Sequence, residues 1–349
     1  MKRIAFRLGF TVALLGVAGL GALMTLDSFN QFDEVKSSFA GSCQPVTGIP
    51  GPEDLQIDPA TRTAFISSYD RREGEGRGGI YAISIDDPLS AEWRDRTGGV
   101  PEAFEPLGLY FYRDAQFRRL FVANGAAKSV ELYDVLDSGD LVHRETFKER
   151  RLTSPNDVVA VGPRDFYVTN DFRTGRDSLL ARVDFLTRAR SGRLLQFNGM
   201  AWKVAAEDLR FANGVAASND GRRVYVAETA GGALKIYDRD PASGHLNLAE
   251  TVPMGVAVDN INVDRTGTLW IGAHPKPLIL PLYEKNPSIK APSLVIRYDD
   301  MPGVLGKPAE VYANDGAEIS ASTAAARLGS TLLIGALFEK KFLICQLPG

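Results

Sequence analysis

One pattern recurs six times along this chain, and a unit that returns in register leaves few folds open. The units begin at Glu53-Asp54-Leu55, Gly108-Leu109-Tyr110, Asn156-Asp157-Val158, Asn213-Gly214-Val215, Asp259-Asn260-Ile261 and Ser322-Thr323-Ala324. Each is followed by a strand-like run: Ala64-Phe65-Ile66-Ser67-Ser68, Leu120-Phe121-Val122-Ala123, Phe166-Tyr167-Val168-Thr169, Val224-Tyr225-Val226-Ala227, Leu269-Trp270-Ile271-Gly272 and Leu332-Leu333-Ile334-Gly335. The steps from Asp54 to Leu109, Asp157, Asn213, Asp259 and Ser322 are 55, 48, 56, 46 and 63 residues, a spacing that fits four-stranded blades with some long loops. The expected fold is all-β, a six-bladed β-propeller over residues 43–349. A linker over 27–42 and a hydrophobic N-terminal helix over 1–26 precede it.

In a propeller the first strand of every blade lines the central channel, so residues far apart in sequence become one site. Glu53, Asp54, Asp157 and Asp259 would bring carboxylates to that channel, and Asn156, Asn213 and Asn260 amide oxygens. Leu109 has only its backbone carbonyl to offer. A single Asn or Asp before a strand ordinarily serves a turn. Recurrence in register favours a site instead, because like charges crowded about one axis repel unless a counter-ion lies among them. A cage of oxygens suits calcium, which takes six to eight such ligands, better than zinc.

Composition bounds the partners. Hydrophobic residues make up 44% and charged residues 24% of the 349, enough for a full core, and the repeat makes that core one domain. A net charge of -3 with no basic stripe excludes a nucleic-acid footprint. At the start, Lys2, Arg3 and Arg7 precede an uncharged stretch from Leu8 to Leu26, and Asp27, Asp33 and Glu34 follow it. That order predicts a signal anchor in the membrane with the propeller outside the cytoplasm, a cleaved signal peptide being the alternative. The two cysteines, Cys43 and Cys345, lie near the two ends of the propeller. They are either a disulfide that locks ring closure in an oxidising compartment or two buried thiols.

Longer motifs carry a family likeness. Glu53-Asp54-Leu55, Ser129-Val130-Glu131-Leu132, Asn156-Asp157-Val158-Val159-Ala160-Val161-Gly162-Pro163, Tyr167-Val168-Thr169-Asn170-Asp171, Phe211-Ala212-Asn213-Gly214, Val258-Asp259-Asn260-Ile261 and Gly272-Ala273-His274-Pro275 occur in collinear order. In these the chain resembles the paraoxonases, calcium-dependent lactonases and arylesterases built on a six-bladed propeller. The resemblance implies two calcium ions stacked in the channel. One would be held by Glu53, Asn156, Asn213, Asp259 and Asn260, and a deeper one by Asp54, Asp157 and the Leu109 carbonyl. The family's two-histidine dyad, however, falls at Leu107 and Gly125, and a further family histidine falls at Phe172. Of the histidines present, His143 and His245 stand in polar, turn-like contexts that read as surface. His274 matches a family position and would orient Asp259 or line the pocket.

Calcium at an open coordination position can polarise an ester carbonyl and stabilise the oxyanion formed when water attacks. The candidate bases are Glu53, Asp259 and Asp171; carboxylates bound to a cation are poor bases, which favours Asp171. Nucleophile elbow, zincin helix, phosphate loop and dinucleotide fingerprint are all missing. The expected function is calcium-dependent hydrolysis of lactones or aryl esters. The alternatives are a non-catalytic calcium-stabilised binding propeller and another calcium-propeller enzyme, such as a sugar lactonase, a lyase or an isomerase. Substrate choice would lie in the stretches 71–79, 173–206 and 275–292. In the first, Gly74 to Gly79 reads as a hairpin over the channel mouth with Arg71, Arg72 and Arg77 as surface charge. In the second, Leu179, Leu180, Leu194, Leu195, Phe197, Met200 and Trp202 would form either amphipathic helices at a membrane face or the core of an insertion.

Overall fold

Strand-forming runs that are apolar on both faces need partners on both faces, and a ring of radial sheets supplies them. The computed structural model describes residues 19–74, 76–89, 94–99, 101–301 and 306–348. They form six sheets around an axis, a six-bladed β-propeller. The inner strands are Pro52–Asp58, Pro106–Arg113, Pro155–Ala160, Ala212–Ala217, Ala257–Val263 and Ser322–Leu328, which begin blades 1 to 6 in order. Each pairs antiparallel with a second strand containing the predicted apolar run. Blade 1 has three strands, and its edge is extended by a bridge between Tyr81 and Asp95.

Blades pack face to face through side chains from all their strands. Phe65 of blade 1 stacks on Phe111 of blade 2 with centroids 5.6 Å apart. Between blades 2 and 3, Phe121, Phe147, Phe166, Phe197 and Trp202 make an aromatic layer. Such rings contribute through buried area and through their tilted, edge-on geometry. Leu194 and Leu195 are fully buried in this packing, and Trp202 opens the outer strand of blade 3. The predicted apolar mouth segment thus divides: Leu194, Leu195, Phe197 and Trp202 are blade core, and Met200 is exposed in the turn between strands. Only Leu179 and Leu180 reach the surface of a short helix, Leu179–Leu186, capped by Ser178.

Blade 6 borrows its outer strand from the other end of the chain. Ser42–Thr47 pairs with Lys341–Gln346, which closes the ring. Cys43 and Cys345 are directly opposed in that pair and form a disulfide across a sequence separation of 302. A chain carrying Cys43→Ser and Cys345→Ser should therefore unfold at lower denaturant. The chain-entropy model sets the loss for so long a loop at about 5 kcal/mol. An unfolding midpoint indifferent to reduction would overturn this role.

The segment expected as a linker is docked instead. Residues 19–28 are helical, Phe29 stacks on Phe185 at 5.3 Å, and the Asn30 side-chain amide donates to the Gly255 carbonyl. Ser38–Phe39 then adds a strand to blade 5. Apolar contacts and ladder bonds hold this stretch because its backbone finds partners on the propeller. Most of the predicted membrane segment, residues 1–18, lies outside the described residues. Among the described residues no helix is long and apolar enough to cross a membrane, so membrane contact gains no support from them.

Candidate metal and active site

A single irregularity builds the channel wall. In every inner strand the ladder to its neighbour carries one extra residue, a bulge that frees two residues from pairing. Those residues are Glu53-Asp54, Leu107-Gly108, Asn156-Asp157, Asn213-Gly214, Asp259-Asn260 and Thr323-Ala324. The register expected for blades 2 and 6 is therefore corrected by one or more positions. Leu109 has already rejoined the ladder opposite Val122, and Ser322 is paired with Ala336. Pro106 to Tyr110 offers no polar residue to mark the frame, and a strand without a marker leaves its register open. Gly108 and Gly214 are required by close approach, since a Cβ on either would overlap Asp157 or the Asp259 backbone of the next blade.

Two kinds of side chain meet at the bulges. Asp54 and Asp157 tie neighbouring blades together. Asp54 accepts the amides of Leu55 at 2.8 Å and Leu109 at 2.9 Å, and Asp157 those of Val158 and Val215, both at 2.7 Å. The second group holds polar atoms in reserve. The amide nitrogen of Asn260 donates to Glu53 Oε1 at 3.1 Å, that of Asn213 to Thr229 Oγ1 at 3.0 Å, and that of Asn156 to Asp171 Oδ2 at 3.4 Å. Asp259 Oδ2 meets His274 Nε2 at 2.7 Å. These pairings leave Glu53 Oε2, Asn156 Oδ1, Asn213 Oδ1 and Asn260 Oδ1 buried with no hydrogen-bond partner.

One unpaired buried oxygen costs about 1–3 kcal/mol, and four at the inner-strand bulges of blades 1, 3, 4 and 5 form a pattern. All are hard oxygen donors, the set that calcium takes. Among the described residues no three His, Cys, Asp or Glu side chains alone surround a point; the set here mixes carboxylates with amides. Charge tells the same story. Burial pushes the Glu53 carboxyl up to about 8, against the pull of Arg71 and with a push from Asp259 and Asp54. Burial lifts Asp54 to about 7 despite its two amide donors, and burial with the nearby Asp54 lifts Asp157 well above the carboxylate range. The residues present fit a divalent cation.

Above the ring lies a charged rim that the sequence did not mark. Arg71 is tucked inward with its side chain 9% exposed, not spread on the surface as expected. It reaches the carbonyls of Gly51 and Pro106 and faces Glu105 at 3.9 Å. Arg72 is also structural, lying over the Tyr283 ring at 4.4 Å and donating to the Tyr283 and Glu284 carbonyls. Arg77 remains exposed. Arg176 grips Asp171 Oδ2 with two nitrogens at 3.1 and 2.8 Å, while Asp171 Oδ1 is buried and unpaired. Arg176 follows Asp171 by only five residues, but nothing in a single sequence separates such an arginine from ordinary surface charge.

At the two positions where the resemblance would put a histidine dyad, Leu107 is buried, and a Cβ on Gly125 would touch both Leu107 and Glu105. Phe172 is buried edge-on against Phe211 at 4.9 Å, and Phe211 in turn meets Phe185. His143 corrects its surface assignment: it bonds the fully buried Glu131 at 3.0 Å and packs edge-on against Tyr133. His245 is exposed, as expected. A separate cavity of about 500 Å³ opens at the opposite end of the channel, lined by Gln56, Tyr110, Asn262 and Arg327, and holds none of the expected ligands.

Comparison with known proteins bears on this geometry. The arylesterase family model matches residues 39–347. The chain is 32% identical to human serum paraoxonase/arylesterase 1 over 91% of its length and 92% of that protein. It is 30% identical to rat serum paraoxonase/arylesterase 2 over 97% and 98%. Among solved structures, a regucalcin from Agrobacterium tumefaciens superposes with a TM-score of 0.57 at 15% identity, covering 90% of this chain and 98% of that one. A gluconolactonase from Xanthomonas campestris gives 0.55 at 17% over 90% and 95%. These distant likenesses speak for the fold alone; the family match and the curated relatives, spanning nearly the whole propeller, show that the chain belongs to the arylesterase family.

Proposed function

We propose that the protein is a calcium-dependent hydrolase of lactones or aryl esters acting outside the cytoplasm. The observation that carries this reading is the set of four buried, unpaired oxygens on Glu53, Asn156, Asn213 and Asn260. With Asp259 they would hold one calcium ion, and Asp54, Asp157 and the Leu109 carbonyl a second. Bound there, calcium supplies positive charge to an ester carbonyl and to the oxygen on which charge develops. The relatives' names as serum paraoxonases and arylesterases support the reaction class, and their naming as serum proteins together with the Cys43–Cys345 disulfide supports export.

The chain's own residues hold this site in shape. His274 fixes one oxygen of Asp259, and Arg176 with Asp171 fixes the Asn156 amide so that its oxygen is the atom left over. Such neighbours orient ligands that would otherwise turn away. Leu107 and Phe172 give the wall an apolar stretch that keeps bulk water from the acyl group.

The test is a panel of aliphatic lactones, sugar lactones and phenyl acetate assayed with added calcium and with excess chelator. Turnover of at least one ester that disappears on chelation is expected. The apolar residues at the dyad positions favour one rival, a binding propeller that keeps calcium for stability. No turnover across the panel, with calcium still raising the melting temperature, would make that rival the better reading.

A further inference from the structure

We infer that Glu105, paired with Arg71, is the proton-transfer residue of this site, standing where the dyad is missing; the inference rests on the hydrolase reading above. Blade 2 contributes no polar side chain to the ring, because its bulge carries Leu107 and Gly108. Two residues before Leu107, immediately ahead of the same strand, stands Glu105. Its backbone is fixed on both sides: its amide donates to Asn124 Oδ1 at 3.1 Å, and its carbonyl accepts from the Gly125 amide at 2.9 Å. Its carboxylate borders Gly125, since a Cβ there would lie 3.1 Å from Glu105 Oε2 and 3.0 Å from Leu107 Cδ1. The two positions that lost histidine thus border a third residue able to carry a proton.

Arg71 ties that carboxylate to the metal ring. Its guanidinium spans the tops of blades 1 and 2, reaching the carbonyls of Gly51 and Pro106, and lies within electrostatic reach of both Glu53 and Glu105. Arg176 and Tyr69 also lie within electrostatic reach of Glu105. The Glu105 side chain is 26% exposed, so water arriving by the mouth can meet it. Asp171 differs: its side chain is fully buried, and Arg176 and Asn156 occupy one of its oxygens. We assign Asp171 to positioning Asn156.

In the proposed step Glu105 takes a proton from water as the water oxygen bonds to the acyl carbon and the carbonyl π pair moves to oxygen. On collapse that pair re-forms the carbonyl, the bond from carbon to the leaving oxygen breaks, and the proton passes from Glu105 to that oxygen. The carboxylate is restored, and no other reactant is needed.

The experiment measures kcat, KM and calcium-dependent melting for Glu105→Gln, Glu105→Asp and Asp171→Asn in the full chain. Glu105→Gln should lower kcat by about a hundredfold to ten-thousandfold with unchanged calcium affinity, the range of general acid–base catalysis, and Glu105→Asp should recover part of it. Asp171→Asn should weaken calcium binding. A kcat within about threefold of wild type for Glu105→Gln, far below the general-base range, overturns the assignment. So does a loss confined to Asp171→Asn at unchanged calcium affinity. If the wild type itself turns over no ester while binding calcium, the hydrolase reading falls first and takes Glu105 with it, whereas an active Glu105→Gln overturns only the inference.

Discussion

If the channel holds calcium as proposed, chelation should lower the melting temperature by about 10 °C or more, because an ion that binds only the native state stabilises it by mass action, and two such sites would add. The loss should also deepen with pH. Burial raises Glu53 to about 8 and Asp54 to about 7, and Asp157 is raised as well. From about pH 4 upward the unfolded chain has released protons that these folded carboxyls still hold, so the folded state binds more protons and stability falls as pH rises. For Glu53 and Asp54 that decline ends near pH 8, once both have ionised in the folded state too. Calcium favours the ionised form and should cancel the trend. Melting curves in excess chelator from pH 5 to 8, beside curves with calcium, check both statements; a chelated protein that melts unchanged, or more stably at higher pH, would contradict them.

Glu53→Gln and Asn213→Ala should each reduce ester or lactone hydrolysis by about a thousandfold, the scale at which a preorganised electrostatic site loses a member. Both remove one of the unpaired oxygens while leaving the blade ladders intact. Asp54→Ala and Asp157→Ala should behave differently. Each strips the acceptor from two buried amides, Leu55 and Leu109 or Val158 and Val215, at about 1–3 kcal/mol per orphaned group. Stability should therefore fail before activity in these two. His274→Gln, which changes the hydrogen bond to Asp259, should cost less than either ring variant. Equal losses of activity in all five variants, with equal melting temperatures, would show that the two tiers of the channel do not divide the work in this way.

The repeat made the propeller and most of its ring legible before any coordinates. Hydrogen-bond register copies itself from blade to blade, so a polar residue at the bulge recurs at a spacing that can be counted. The frame slipped where no polar residue marked it, at Leu109 for Leu107-Gly108, and where two adjacent polar residues competed, at Ser322 for Thr323-Ala324. The cysteine pair was also legible as one of two alternatives, and the structure chose the disulfide by placing Cys43 opposite Cys345 in a shared ladder.

Sequence alone therefore determined the number of blades and that Glu53, Asp54, Asn156, Asp157, Asn213, Asp259 and Asn260 recur on the inner strands, and it offered them as the candidate oxygen donors. Only the tertiary structure decided which oxygens stay unpaired, that Arg71 is walled into the mouth, and that Glu105 lies beside Gly125 and faces Arg71. The physical reason is that strands carry a period and loops do not. Contacts of the 69–78 segment with residues 104–106 join blades 1 and 2 through space, and no spacing along the chain encodes them.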